Sequence, residues 1–134
     1  MPIFENATPP SVGHDLIDTD HSVFIALLNQ MDKTNITEFP GLFLQLYEHT
    51  AEHFEREHSL MAEFNFPAET EHNGEHQRLL GEFKQFKTRV DKGLIAFGRA
   101  FIKERLPQWF TLHISTMDSA LAAHIKRQPE LPDQ

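Results

Sequence analysis

The chain carries nine histidines and no cysteine, so any metal or acid–base chemistry must run on imidazole and carboxylate. Disulfides, thiolate zinc sites and iron–sulfur clusters are excluded at once. Spacing makes the histidines informative. His53 and Glu57 stand four residues apart, as do His72 and His76. On a helix that interval is about one turn, so each pair shares a face. At 100° per residue, His53 and Glu57 fall in the middle of the apolar stripe Phe39, Leu42, Leu46, Thr50, Phe54, Met61 and Phe64. His72 and His76 extend the line Leu79, Phe83, Phe86 and Val90 by two turns. His21 shares a face with Phe24, Ile25, Leu28 and Met31, and His113 lies among Leu106, Trp109, Met117 and Ala120. Asp118 follows His113 by five residues, a rotation of about 140° that leaves it at the edge of its stripe unless a π-bulge swings it inward.

Five histidines and two acids therefore point into the protein. Left unpartnered, each would cost on the order of 1–3 kcal/mol, and the charged carboxylates more. Such a load would consume the net stability of an ordinary domain. A metal centre removes the problem. Seven donors exceed what one tetrahedral zinc uses, and neutral imidazoles disfavour calcium and magnesium. Five nitrogens with two carboxylates suit two iron or manganese ions bridged by the acids. His14, His49, His58 and His124 read as surface or border residues.

The elements that position these groups are helical, with no sustained period-two alternation anywhere. The spacing predicts one domain over 1–134: an extended arm over 1–17, then helices over about 18–32, 38–64, 68–91 and 95–127. Asp18 is the expected N-cap of the first helix and Thr37 of the second, and Pro107 should kink the fourth. Short connections make this an all-α, antiparallel up-down four-helix bundle, whose interior is where such folds build metal sites. A formal charge of −8 argues against nucleic acid and against an anionic membrane surface. No apolar run reaches membrane-spanning length and no secretory signal is visible, so a cytoplasmic location without membrane insertion is expected.

His21, the run His53-Phe54-Glu55-Arg56-Glu57, His72 with His76, the run Trp109-Phe110-Thr111-Leu112-His113-Ile114 and a closing Asp118 together resemble the hemerythrins, more closely their single-domain bacterial form. The likeness extends to Ile17-Asp18-Thr19-Asp20-His21 and covers nearly the whole chain. It implies two non-haem irons, one completed by His72, His76 and His113, the other held by His21 and His53 with a position left open. Glu57 and Asp118 would bridge both ions beside an oxo or hydroxo group. The resemblance further implies reversible dioxygen binding for carriage, storage or delivery rather than an enzyme's turnover, with an oxygen-consuming enzyme as a possible recipient. Phe24, Phe54, Trp109, Phe110 and Ile114 match positions that line the oxygen pocket, although Phe110 stands where leucine is common. Asp20 is placed to hydrogen-bond a ligand imidazole from behind.

Competing readings are a ferritin-like oxidase or peroxidase, oxygen or redox sensing, and iron storage. The first uses Glu-x-x-His pairs, and two such strings exist, Glu55 to His58 and Glu69 to His72. Glu55 projects away from the buried stripe, which counts against that reading.

Overall fold

The computed structural model describes residues 11–127. Most of the arm expected over 1–17, including Pro9-Pro10, lies outside the described residues. Four helices pack in an up-down bundle, with no strand among the described residues. They are α1 (Asp15–Asp32), α2 (Phe39–Glu63), α3 (Glu69–Asp91) and α4 (95–127). No helix among the described residues is long and apolar enough to cross a membrane.

Two start signals differ from expectation. Helix α1 begins three residues before Asp18, with His14 at the N-cap in an extended conformation. Asp18 instead reaches back along the chain, where its carboxylate accepts from Val12 N at 2.9 Å, Gly13 N at 3.2 Å and Ser11 Oγ at 2.8 Å. Residues 15–17 are thus helical rather than part of an arm. Thr37 does not cap α2. Glu38 holds that position, and Asn35 Oδ1 accepts from Glu38 N at 2.8 Å, closing the turn before Pro40 enters the first helical turn.

Both tight reversals have the same physical design. At the end of α2, Asn65 takes a left-handed φ of 50°. Phe66 N donates to Met61 O and Asn65 N to Ala62 O, the paired bonds of a Schellman cap, while Phe66 packs on Met61. At the end of α3, Gly93 takes φ 89°, with Leu94 N donating to Arg89 O and Gly93 N to Val90 O. Each cap satisfies two orphan carbonyls and turns the chain directly into the next helix.

Helix α4 is regular only in parts. It runs Ile95–Ala100 in α geometry, passes through a π-turn at Phe101–Arg105, continues as α over Leu106–His113, makes a second π-turn at Ile114–Asp118 and ends as α over Ser119–Arg127. The first π-turn sits just ahead of Pro107, where the missing N–H already breaks the α ladder. The second changes the helix's phase. Downstream of it Leu121 and Ala122 are buried, whereas Ala120 is exposed and Met117 only half-buried, which corrects the stripe read for this segment. One inserted residue rotates everything after it by about 100°.

The core end remote from the histidines is aromatic. Phe43 meets Phe83 edge-on at 5.2 Å, Phe83 meets Phe101 at 5.1 Å, and Phe86 stacks on Phe101 at 4.6 Å. Gly98 lets α4 approach this layer closely. A Cβ there would lie 2.5 Å from Val90 Cγ2 and 2.8 Å from Phe39 Cε1, both in buried side chains with little room to yield. Gly98→Ala should therefore destabilise the fold, since overpacking of about 1–3 kcal/mol outweighs the ~1 kcal/mol gained in helix propensity. A urea midpoint equal to or above that of the parent chain would contradict this.

Candidate metal centre

Every helix contributes to one buried cluster: Asp20 and His21 from α1, His53 and Glu57 from α2, His72 and His76 from α3, His113 and Asp118 from α4. Helical periodicity delivers all but the last. Asp118 reaches the cluster because the π-turn at Ile114–Asp118 brings it under His113, where its Oδ1 lies 3.1 Å from His113 Nε2. Ser119 Oγ donates to Ile114 O at 2.7 Å across the loosened turn, satisfying a carbonyl there.

All five imidazoles present Nε2 to the two carboxylates. His21 Nε2 lies 2.8 Å from Asp118 Oδ2, and His53 Nε2 lies 3.0 Å from Glu57 Oε2. His72 Nε2 is 3.1 Å from Glu57 Oε1 and 3.2 Å from Asp118 Oδ1, and His76 Nε2 is 3.3 Å from Glu57 Oε1. The donor atoms sort into two sets, each lying within 4.8 Å of one another: Glu57, His72, His76, His113 and Asp118, and His21, His53, Glu57 and Asp118. Glu57 and Asp118 belong to both.

Protein atoms alone leave this arrangement incomplete. His76 Nε2 faces His113 Nε2 at 3.1 Å, a pair in which only one nitrogen can carry the proton of a shared hydrogen bond. Glu57 Oε2 and Asp118 Oδ1 are close to imidazole nitrogens, yet the approach is too misaligned to count as a hydrogen bond. The Nδ1 atoms of His21, His72 and His76 also lack a hydrogen-bond partner. The Nε2 atoms and carboxylate oxygens, converging in this way, fit a cation among them.

Metal-free electrostatics show the same strain. Burial alone would raise Glu57 and Asp118; the histidines around them outweigh it and hold both carboxyls below their ordinary range. Burial would likewise lower His53, but the charge of Glu57 and the hydrogen bond to Asp20 push it up to about 10. His72 rises to about 9 against burial, through the close carboxylates of Asp118 and Glu57. His76 goes the other way, to about 4, because burial dominates and His113 and His72 repel its proton.

The signs define a window for the metal-free chain. From the ordinary imidazole value of 6.5 up to about 9–10, the folded state holds protons on His53 and His72 that the unfolded chain has released, so stability falls as pH rises. From 6.5 down to about 4 the unfolded chain protonates first at His76, so stability falls as pH drops, and below the ordinary carboxyl values of 4.5 and 3.8 the depressed Glu57 and Asp118 continue the fall. Metal-free protein should be most resistant to urea near pH 6.5; a midpoint still climbing at about pH 9 would contradict this.

Beside the cluster is a cavity of about 10 Å³, roughly the room of one water-sized molecule. Phe24, Phe54, Trp109 and Phe110 line it, with His21, His53 and His113 on the cluster side. Ile114, the fifth residue expected there, is buried in the adjoining core and is not among the walls. Phe110 stacks on Phe24 at 4.4 Å, narrowing the space, while Phe54 lies flat on His76 at 3.7 Å and Trp109 on His113 at 4.3 Å. Asp20, His49, Thr50 and Asp118 complete the lining, His49 and Thr50 without a functional role in the sequence reading.

Among the border histidines, His49 Nε2 donates to Asp20 O at 3.0 Å and His124 Nε2 to Phe64 O at 2.7 Å, so both tie helices together. His58 is exposed, beside Asn73 and Glu69. Neither Glu-x-x-His string acts as a unit. Glu55 is exposed, and Glu69 faces His58 at 3.8 Å while His72 is inside the cluster.

A four-helix bundle whose helices all donate to one buried imidazole–carboxylate cluster defines a bundle metal-binding protein. More particularly, the chain belongs to the hemerythrin family: the hemerythrin HHE cation binding domain matches residues 12–125. It is 27% identical over 135 residues to bacteriohemerythrin of Ralstonia nicotianae, covering 100% of this chain and 98% of the relative. It is 32% identical over 120 residues to bacteriohemerythrin of Aquifex aeolicus, covering 85% and 91%. Myohemerythrin of Riftia pachyptila is 25% identical over 107 residues, covering 80% and 81%. No solved structure matches at a significant level.

Proposed function

We propose that the chain binds dioxygen reversibly at a pair of non-haem irons, for carriage, storage or delivery rather than turnover. In this reading His72, His76 and His113 hold one iron and His21 and His53 the other, with Glu57 and Asp118 shared. The observation that carries it is the inequality of the two donor sets. One offers three imidazoles and two carboxylates, the other two and two, and the apolar cavity is walled by both imidazoles of the poorer set, His21 and His53, against only His113 of the richer. The poorer set leaves room for an outside ligand, and the cavity admits only something very small.

When bound, two irons supply the two electrons that dioxygen takes up and returns. The residues decide whether the exchange stays reversible. Five neutral imidazoles against two carboxylates favour the lower oxidation state more than a carboxylate-rich set would. Phe24, Phe54, Trp109 and Phe110 exclude bulk water and anions from the open side. Similarity to two bacteriohemerythrins and a myohemerythrin supports the same reading.

The test is a visible spectrum of iron-loaded protein cycled between air and argon. A band that appears with air, vanishes under argon and returns over several cycles is expected. One-way conversion to a ferric spectrum, or oxidation of an added reductant with turnover, would replace this reading by an oxidase or peroxidase.

A further inference from the structure

His53 differs from three of the other inward-facing imidazoles on its far side. The Nδ1 atoms of His21, His72 and His76 have no hydrogen-bond partner, whereas His53 Nδ1 donates to Asp20 Oδ2 at 2.8 Å. Asp20 is itself gripped. Arg56 Nε donates to Asp20 Oδ2 at 2.8 Å and Arg56 Nη2 to Asp20 Oδ1 at 2.8 Å, a two-pronged ion pair that fixes the carboxylate plane. His49 Nε2 holds the backbone carbonyl of the same aspartate. The side chain of Arg56 is 34% exposed and that of Asp20 8%, so the chain Arg56–Asp20–His53 runs from solvent to the cluster.

A carboxylate behind Nδ1 keeps the proton there and leaves Nε2 as the lone-pair nitrogen, which is the one facing Glu57. A free aspartate could swing toward solvent and release the ring. The guanidinium fork prevents it.

Resting on the di-iron reading above, we propose that Arg56 is a positioning residue: through Asp20 it locks the ring of His53 and so sets how firmly the His21/His53 position retains its iron. The His72/His76/His113 position has no such support on His72 or His76 and relies on an extra imidazole instead.

The test loads the whole chain with ferrous iron anaerobically and follows release to a ferrous chelator. Wild type should hold two irons. Arg56→Gln should lose one of them on the order of tenfold faster, within the range that outer partners of metal ligands usually control, while the other leaves at the wild-type rate. Arg56→Lys, which restores the charge without the fork, should recover part of the retention. Asp20→Asn reaches the same end independently, and Glu52→Gln, altering only a 4.0 Å neighbour of Arg56, should change nothing. The iron-free thermal midpoint of Arg56→Gln should stay near that of the parent, separating positioning from general loosening. Wild-type release from both Arg56→Gln and Asp20→Asn, or equal acceleration of both irons, would overturn the inference. Failure of wild type to take up iron would instead remove the di-iron reading and this inference with it.

Discussion

Stripping the bound metal from the purified protein should lower its thermal midpoint by about 10 °C or more. A ligand that binds only the folded chain stabilises it by about 4 kcal/mol when present at a thousand times its dissociation constant, and 1 kcal/mol moves the midpoint of a chain this size by roughly 2–8 °C. The size of the effect follows from what the metal-free cluster must tolerate. Glu57 and Asp118 each bury an oxygen without an aligned donor. His76 and His113 also hold their Nε2 atoms 3.1 Å apart. A cation between these atoms relieves all of the inward-facing strain at once. Helices should persist without it, because the aromatic layer of Phe39, Phe43, Phe83 and Phe101 lies away from the cluster and stays buried. Calorimetry with and without a chelator measures the difference. Coincident midpoints would show that the cluster is self-sufficient and would count against a metal centre.

On the di-iron reading proposed above, Glu57→Gln should reduce iron content from two per chain to one or fewer and abolish the oxygen-dependent band. Glu57 is 1% exposed, belongs to both donor sets, and faces the Nε2 atoms of His53, His72 and His76 within 3.3 Å. Glutamine keeps the shape of the side chain but removes the charge and turns an N–H₂ donor toward nitrogens that must offer lone pairs. An amide cannot serve two cations as a carboxylate does. The substitution therefore strikes both positions, whereas loss of a single histidine strikes one. Glu55→Gln, two residues away and exposed, is the matched control and should keep both irons. Elemental analysis after desalting decides it: two irons retained by Glu57→Gln would remove the bridging role.

The sequence alone determined the helices, their approximate limits and the inward direction of His21, His53, Glu57, His72, His76 and His113. These depend on the 3.6-residue period, which is a local property and visible wherever apolar residues mark the buried side. Helix starts were less legible. Asp18 and Thr37 are good capping types, but His14 and Glu38 took the positions because Asp18 and Asn35 were engaged with neighbouring backbone. Nor could spacing reveal the Arg56 fork on Asp20, which joins residues 36 apart on different helices.

What only the tertiary structure decided is the completion of the cluster. A straight α4 would leave Asp118 about 140° from His113. The π-turn at Ile114–Asp118 brings the carboxylate beneath the imidazoles and rephases the helix so that Leu121 and Ala122, not Ala120, are buried. A π-turn weakens local hydrogen bonding and is not favoured by its own residues. It forms where contacts from other helices outweigh that loss, here His21 and His72 meeting Asp118 across the bundle at 2.8 and 3.2 Å. The division into a five-donor and a four-donor set arises in the same way. It depends on how four helices meet, and no single helix encodes it.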